Sequence, residues 1–515
     1  MILWLLLLNG LFLVPSLALP GATPWFSLEA LLVWATLCAL PESDRRYRVT
    51  LGLAILCGLL ALLVLADTLV RASLGRGLNL YLEVRLLDAA WNLMNTNLGA
   101  LLAALALALL VGVLAGFTWL VRHGLERLAQ HSPKHLAKPL WLVAGLAAAG
   151  AVTPWIGSPA LAFVANQASL IAHTHQTTQA FAAQLSTQSQ SSVQPTLLPQ
   201  LAEKDVILGF IESYGLSAVT DERYRKVVDP SLDAMARELE TAGLTLVTGR
   251  LQSPIQGGQS WLGHLSVLSG QWIHNQLAYE TFLSSGYSTL IDDFRSTGHR
   301  AVAVMPAITQ AWPEGRLFRY DQIYDHDKLG YQGPPFNWVT MPDQYTWHRF
   351  QAIREQYQGP LFAELALISS HAPWVPILPV LDNWSAIGDG RVFQRWADAG
   401  EAPVSLWRDP DRVRDHYGQA IAYAVKVAGE FAARHVGENT LMIILGDHQA
   451  APLITGAGAS RDVVIHVISG DAALVEPFLS GELPGFRQGA RPDPETPGAS
   501  MRQFRPFLHR HFGEF

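Results

Sequence analysis

Cysteine is scarce in this chain of 515 residues, which has only Cys38 and Cys57. Both lie in apolar stretches, and this excludes a disulfide scaffold, a cysteine-rich zinc module and a cysteine nucleophile in any soluble part. Charge is also scarce, since 15% of the residues are charged and 50% are hydrophobic, so the chain is not disordered. Basic residues are not in excess, because the formal net charge is −7, which argues against a nucleic-acid partner.

The apolar residues are concentrated in the first third of the chain. A helix needs about 20 apolar residues to cross a bilayer. Five runs come near this length, at residues 1–19, 25–40, 49–70, 98–121 and 140–156. The sequence therefore predicts a transmembrane domain of five helices over residues 1–157. A cleaved signal peptide is the alternative for the first run, and the lack of a basic n-region disfavours it.

The distribution of arginine and lysine predicts the orientation, since basic loops stay on the cytoplasmic side. Basic side chains lie between the second and third runs and between the fourth and fifth: Arg45, Arg46, Arg48, Arg122, Arg127, Lys134 and Lys138. An odd number of spans that begins inside places everything after Ile156 outside. We therefore expect a multi-pass protein of the plasma (inner) membrane with an extracytoplasmic soluble domain.

Two further segments accompany the predicted spans. Apolar residues recur at helical spacing between the third and fourth spans, at Leu80, Val84, Leu87, Trp91 and Met94. This pattern predicts an interfacial amphipathic helix near residues 79–96, with a plain connector as the alternative. Residues 166–200 are rich in Gln, Ser and Thr and almost uncharged. We interpret residues 158–203 as a linker or extended arm.

Residues 204–515 show the pattern of an α/β domain, in which short apolar runs alternate with helical segments. The predicted strands are residues 206–211, 244–248, 301–305, 361–368, 440–445 and 463–468. Several are apolar at every position, as expected in a largely parallel central sheet covered on both faces. Ligands of such sheets bind beyond the carboxyl ends of the strands.

Four side chains of the types that bind metals or phosphates follow three of these strands. Glu212 follows the first, His371 follows the fourth, and Asp447 and His448 follow the fifth. Taken singly, each is explained as well by capping of the next helix. Together they indicate a site for Mn²⁺, Mg²⁺ or Zn²⁺ in phosphoryl transfer, because carboxylates and imidazole suit these ions.

A nucleophile is expected near these ligands, and Ser260 is the candidate. It follows Gly257 and Gly258 at the start of a predicted helix. The hydroxyl there gains from the positive end of the helix dipole and from N–H groups that hold a phosphoryl oxygen. The alternative is an ordinary N-cap serine.

Four short motifs resemble the alkaline phosphatase and sulfatase superfamily. They are FIESYG from Phe210, GGQS ending at Ser260, SHAPW from Ser370 and LGDH ending at His448. Within it, the chain is most similar to the membrane-anchored phosphoglycerol and phosphoethanolamine transferases typified by lipoteichoic acid synthase. The resemblance covers nearly the whole chain and implies five spans and an outward catalytic α/β sandwich.

The resemblance also implies roles for individual residues. Glu212, Ser260, Asp447 and His448 match the ligands of one divalent cation, usually manganese, with magnesium and zinc as alternatives. Ser260 matches the nucleophile.

The resemblance implies a substrate-binding set as well. His371 matches a histidine that contacts the substrate phosphate and serves the leaving or attacking oxygen. Trp312 and Arg316 resemble residues that hold the phosphoglycerol head group.

The chain departs from the pattern of this group in several places. The usual nucleophile is Thr rather than Ser, and His264 stands where a Glu is general. The sulfatase signature Cys-x-Pro-x-Arg and the ligand pairs of a second metal site are absent from the sequence. A sulfatase and a two-zinc alkaline phosphatase are therefore disfavoured.

The leading functional hypothesis is a metal-dependent membrane transferase. It would move a phosphoglycerol or similar phospho-alcohol group from a phospholipid to an extracytoplasmic glycan or glycolipid through a phospho-Ser260 intermediate. A hydrolase with the same residues is one alternative. A catalytically inactive membrane scaffold or sensor is another, and the intact Glu212, Ser260, Asp447 and His448 set argues against it.

Overall fold

The computed structural model describes residues 1–18, 24–148, 155–192 and 195–514. The chain forms two compact units. One comprises Met1–Ala72 with Arg76–Thr177, and the other comprises Ser73–Gly75 with Thr178–Phe515. The ends of the first and fifth predicted spans, at residue 19 and residues 149–154, lie outside the described residues.

The first unit is mostly helical. Its elements are α1 (Ile2–Leu13), β1 (Phe26–Ser27), α2 (Leu28–Ala39), α3 (Asp44–Leu74), α4 (Leu80–Glu83), α5 (Leu87–His131), α6 (Ala137–Ala148), β2 (Ile156–Gly157) and α7 (Pro159–Ser192). α3 ends beyond this unit, and α7 is divided by its boundary at Thr177. Residues 158–203, expected to be a linker or extended arm, thus contain a long helix.

Two helices in the described part of the chain are long and apolar enough to cross a bilayer. They are Asp44–Leu74 and Gly99–His131, and they correspond to the third and fourth predicted spans. The shorter apolar helices Ile2–Ser16 and Leu28–Ala39 correspond to the first and second. The count of five spans and the orientation therefore stay predictions.

The segment predicted as an interfacial helix is helical. α4, a 3₁₀ turn at Val84–Leu86 and the first turns of α5 follow one another along it. Gly99 then interrupts α5, because its φ of 77° and ψ of 156° are not helical. A left-handed φ is open to glycine, so the chain changes direction here at little steric expense.

The second unit is an α/β domain. Its strands are β3 (Asp205–Ile211), β4 (Thr245–Gln252), β5 (Arg300–Met305), β6 (Gln322–Asp325), β7 (Leu361–Leu367), β8 (Thr440–Gly446), β9 (Asp462–Ser469), β10 (Arg487–Gln488) and β11 (Ala499–Ser500). Its helices are α8 (Ser217–Thr220), α9 (Glu222–Thr241), α10 (Ser260–Ser269), α11 (Gln276–Ser285), α12 (Leu290–Ser296), α13 (His326–Leu329), α14 (Asp343–Arg354), α15 (Pro403–Leu406), α16 (Pro410–His435), α17 (Pro452–Thr455), α18 (Ala472–Val475) and α19 (Phe504–Phe512).

The strands form one mixed sheet in the order β10-β4-β9-β8-β3-β7-β5-β6, with β11 paired to β4. Strands β8, β3, β7, β5 and β6 are mutually parallel, whereas β9 is antiparallel to both β8 and β4. An apolar core lies against each face of the sheet. Helices therefore cover both faces, and the carboxyl ends of the central strands meet at one edge.

Candidate active site

The two central strands of the sheet carry three of the predicted ligands. Glu212 directly follows β3, and Asp447 and His448 directly follow β8. The two strands are parallel neighbours, with Ile211 opposite Gly446. Their carboxyl ends therefore coincide, and residues far apart in sequence become adjacent.

The three ligand-type side chains converge on one point. One ligand atom from each of Glu212, Asp447 and His448 lies within 4.8 Å of the others. His448 Nε2 is 3.2 Å from Glu212 Oε1 and 3.9 Å from Asp447 Oδ2. Asp447 Oδ1 accepts hydrogen bonds from the backbone N–H of Ser213 at 2.8 Å and of His448 at 2.6 Å. The backbone thus fixes one oxygen of Asp447 and leaves Oδ2 on the side of the cluster.

The charges of this cluster are tightly linked. Burial, and then the Glu212 carboxylate, raise the pKa of Asp447 to about 6. Burial would also raise the pKa of Glu212, but the charge and hydrogen bond of His448 outweigh it and lower that pKa. Burial opposes a charge on His448, yet the two carboxylates raise its pKa to about 9. The two carboxylates therefore favour a positive charge at this point, either on His448 or on a bound cation.

Ser260 lies beside this cluster at the start of α10. Its Oγ donates to Glu212 Oε2 at 2.9 Å and is 3.3 Å from His448 Nε2. The preceding Gln259 is left-handed, with φ of 66°, and its side chain does not cap the helix. The first-turn N–H groups of α10 are therefore not capped by that side chain, at the end of the helix where the dipole favours an anion.

Contacts with the β8 end hold the loop before Ser260. Ser253 Oγ donates to the Asp447 carbonyl at 2.8 Å, and the Gly257 N–H donates to the Gln449 carbonyl at 2.8 Å. Gly263 on α10 lies so close to β8 that an added Cβ would stand 2.5 Å from the Asp447 carbonyl oxygen. The nucleophile candidate and the ligand cluster are thus tied together through backbone.

Strained backbone accompanies these residues. Ser213, directly after Glu212, has φ of 59°, and Gln259, directly before Ser260, has φ of 66°. Non-glycine residues in this region cost of order 1–3 kcal/mol each and concentrate at functional sites. Ser213 also donates its hydroxyl to Glu212 Oε1 at 3.0 Å.

His371 lies on a turn that contacts the same edge of the sheet. It comes shortly after β7, and the neighbouring Ser370 Oγ donates to the Glu212 carbonyl at 2.6 Å. Asp343, at the start of α14, holds the turn through Oδ1, which accepts from the N–H groups of Ile368 and Ser369 at 2.8 and 2.9 Å. The Ser370 hydroxyl and the Asp343 carboxylate therefore hold the turn that carries His371 next to Glu212.

Trp312 and Arg316 lie in the segment between β5 and β6. Trp312 immediately precedes a 3₁₀ helix, Pro313–Phe318, and its ring packs 5.5 Å from that of Phe318. Arg316 is exposed. Among the described contacts, neither side chain is joined to Glu212, Ser260, Asp447 or His448. The head-group role of both residues stays a prediction.

The sequence interpretation missed a buried group next to the site. Glu364 on β7 is 1% exposed, His264 Nδ1 is 2.8 Å from its Oε1, and Tyr320 donates to its Oε2. Glu364 is the one carboxylate in the apolar run LFAELALI, and a carboxylate buried in such a run needs a hydrogen-bonding partner. The sequence pattern could not identify His264 as that partner, because the two residues are about a hundred positions apart in sequence.

The donor set of the cluster suits a divalent cation. Two carboxylates, one imidazole and a hydroxyl are within contact of one another, and hard or borderline cations take oxygen and nitrogen ligands of this kind. Two carboxylates at one buried point favour a bound cation, because a cation relieves the repulsion between Glu212 and Asp447.

No family model and no curated protein matches the sequence. Solved structures do match. The integral membrane lipooligosaccharide phosphoethanolamine transferase A of Neisseria meningitidis is 12% identical over 93% of this chain and 87% of its own, with a TM-score of 0.46. The lipoteichoic acid synthase LtaP of Listeria monocytogenes is 14% identical over 53% of this chain and 66% of its own, at 0.35. The phosphoglycerol transferase GacH of Streptococcus pyogenes is 12% identical over 57% and 74%, at 0.37.

Proposed function

We propose that this chain is a metal-dependent membrane transferase that moves a phosphoglycerol or similar phospho-alcohol group from a phospholipid to an extracytoplasmic glycan or glycolipid. One observation carries the proposal. The Ser260 hydroxyl lies 2.9 Å from Glu212 and 3.3 Å from His448, at the start of a helix whose first N–H groups are not capped by the Gln259 side chain. This is the arrangement that an activated oxygen nucleophile for phosphorus requires.

Glu212, Asp447 and His448 would hold one divalent cation, with the Ser260 oxygen as a further ligand. We favour Mn²⁺ because the motif resemblance implies it. Mg²⁺ and Zn²⁺ are alternatives, because they also accept carboxylate and imidazole ligands. When bound, the cation supplies Lewis-acid stabilisation of the negative charge that builds up on the serine and phosphoryl oxygens.

The residues of the chain account for the first displacement. Ser260 Oγ gives up its proton to solvent water and attacks the phosphorus of the lipid, oriented by its contact with Glu212 Oε2. The Oγ–P bond forms as the bond from phosphorus to the diacylglycerol oxygen breaks. His371 gives a proton to that leaving oxygen. The serine then carries the phospho-alcohol as a diester, while the N–H groups at the start of α10 bind the non-bridging oxygens.

The second displacement reverses these transfers. The acceptor hydroxyl gives its proton to His371 and attacks the phosphorus. The Oγ–P bond breaks, and Ser260 Oγ takes a proton back from solvent water. Donor and acceptor thus use one site in turn, and no net proton is gained or lost.

The location follows from the predicted spans. We propose five spans with Arg45 and Arg127 inside and everything after Ile156 outside. A protease added to intact spheroplasts should release a fragment that carries residues 204–515. Protection of that fragment would reverse the orientation and remove access to an extracytoplasmic acceptor.

Trapping of the serine diester tests the chemistry. Full-length protein given labelled phospholipid without acceptor should accumulate one phospho-alcohol on Ser260, which peptide mass spectrometry identifies. Ser260→Ala should lose both adduct and turnover, and Ser260→Thr should keep them. Ser284→Ala is the matched control, because this serine on α11 is exposed and its hydroxyl donates to the Thr281 carbonyl of the same helix. An adduct on another residue, or full turnover in Ser260→Ala, would contradict the proposal.

A further inference from the structure

A second histidine lies one helical turn from Ser260 and belongs to a network of its own. His264 Nδ1 is 2.8 Å from Glu364 Oε1, and the Tyr320 hydroxyl donates to Glu364 Oε2. The side chain of His264 is 13% exposed and that of Glu364 is 2% exposed. Since a carboxylate only accepts hydrogen bonds, Glu364 fixes the orientation of both partners.

Fold stability does not account for this network. Glu364 stands on the central strand β7 between Ala363 and Leu365, against the same core as α10. Taking a carboxylate and an imidazole out of water is often no better for stability than well-packed apolar side chains.

The geometry directs His264 toward the site. Residues four apart on a helix share one face, so His264 lies on the face of α10 that carries Ser260. Helical side chains lean toward the N-terminus of their helix, which here is the Ser260 end. The His264 ring stacks on Phe210, with centroids 3.8 Å apart, and Phe210 lies two residues before Glu212. In the described part of the chain, no group hydrogen bonds to His264 Nε2.

Aromatic rings connect this network to Trp312. The ring of Tyr320 is 6.1 Å from that of Phe318, which in turn is 5.5 Å from that of Trp312. Burial and the Glu364 carboxylate raise the pKa of Tyr320 well above its ordinary range, so its hydroxyl remains a donor. Glu364 thus links α10 to the predicted head-group region.

We propose that His264 binds the phosphate group of the donor through Nε2, and that Glu364 and Tyr320 are positioning residues that hold its ring. When both of its ring nitrogens carry a proton, a histidine has one N–H for a carboxylate and one for a phosphate oxygen. This inference rests on the proposed function, since it adds a residue to the same phosphate site.

Binding measurements test the inference without turnover. Inorganic phosphate, glycerol phosphate and glycerol are titrated calorimetrically into the full-length protein in detergent with manganese. His264→Gln should weaken inorganic phosphate and glycerol phosphate about tenfold or more, because a charge-assisted hydrogen bond is lost. Glu364→Gln should weaken both less strongly. Glycerol alone should be unaffected.

The matched control is His511→Gln, which removes a histidine of another carboxylate pair, 2.7 Å from Glu482 on the exposed side of α19. Its phosphate binding should equal that of the unsubstituted protein, and metal content and thermal midpoint are recorded for every variant. If His264→Gln does not fold, Glu364→Gln and Tyr320→Phe decide. Unchanged phosphate binding in the folded variants, or a loss confined to glycerol, would overturn the inference. Loss of turnover in the Ser260 test leaves this outcome untouched, since binding alone is measured here.

Discussion

Gly263 is a position where one added methyl group should disturb the site. It lies on α10, directly before His264, and packs against the end of β8. A Cβ at this position would stand 2.5 Å from the Asp447 carbonyl oxygen, whereas ordinary contacts begin near 3.4 Å. The neighbour is backbone, and it already accepts a hydrogen bond from Ser253. Gly263→Ala therefore has to move α10 away from β8.

The expected effects of Gly263→Ala on stability and turnover follow from these distances. The helix must shift by about 0.9 Å to relieve the contact. Overpacking costs roughly 1–3 kcal/mol, while replacement of glycine by alanine in a helix contributes about 1 kcal/mol in return. The free energy of unfolding should thus fall by only about 0–2 kcal/mol. Ser260 moves with the helix, however, and a misplacement of about 1 Å reduces turnover by about a hundredfold.

The assay compares transfer rate, metal content and thermal midpoint in Gly263→Ala and Gly418→Ala. Gly418 lies on α16, and an added Cβ there would meet Tyr224 at an ordinary 3.4 Å. The control should therefore gain slightly in stability and keep full turnover. Equal turnover in the two variants would refute the idea that the close approach of α10 to β8 positions Ser260.

Three further outcomes are expected. Asp447→Asn should remove the bound cation, measured by elemental analysis, and a variant that retains the metal would contradict the ligand set. Arg316→Ala should raise the donor KM with kcat unchanged, and an unchanged KM would remove Arg316 from the head-group region. Burial raises the pKa of Asp343 from 3.8 to about 7, so its contribution to stability is complete below about pH 4 and is lost as the pH rises through 7. Asp343→Asn should flatten the dependence of the thermal midpoint on pH between 4 and 7, and an unaltered dependence would show that Asp343 is not its source.

Much of the α/β domain was predictable because its central strands are continuous apolar runs. The six predicted strands correspond to β3, β4, β5, β7, β8 and β9. β4 is longer than expected because it pairs with β9 along its whole length, from Thr245 to Gln252. β6, β10 and β11 were missed, since they are short and not apolar and are defined by their partners rather than by their own residues.

The site was predictable where a strand end carries the residue. Glu212, Asp447 and His448 follow from the rule that ligands bind beyond the carboxyl ends of parallel strands. The position of Ser260 against Glu212 depends on a loop whose contacts, such as that of Gly257 with Gln449, leave no trace in a local pattern. In the first unit, the described helices corresponding to the first and second spans are shorter than the apolar runs, so hydropathy alone did not define where helices end.

The position of β3 at the middle of the sheet has a consequence for biosynthesis. β3 is made first, and its neighbours β7 and β8 are made much later. Until β8 leaves the ribosome, the edge of β3 that it will cover presents unpaired backbone groups, which invite wrong pairing and aggregation. The cluster of Glu212, Asp447 and His448 cannot assemble earlier either, because Asp447 and His448 arrive with β8. A chain that terminates before Thr440 would therefore leave this edge of β3 uncovered and would lack two of the three residues of the cluster.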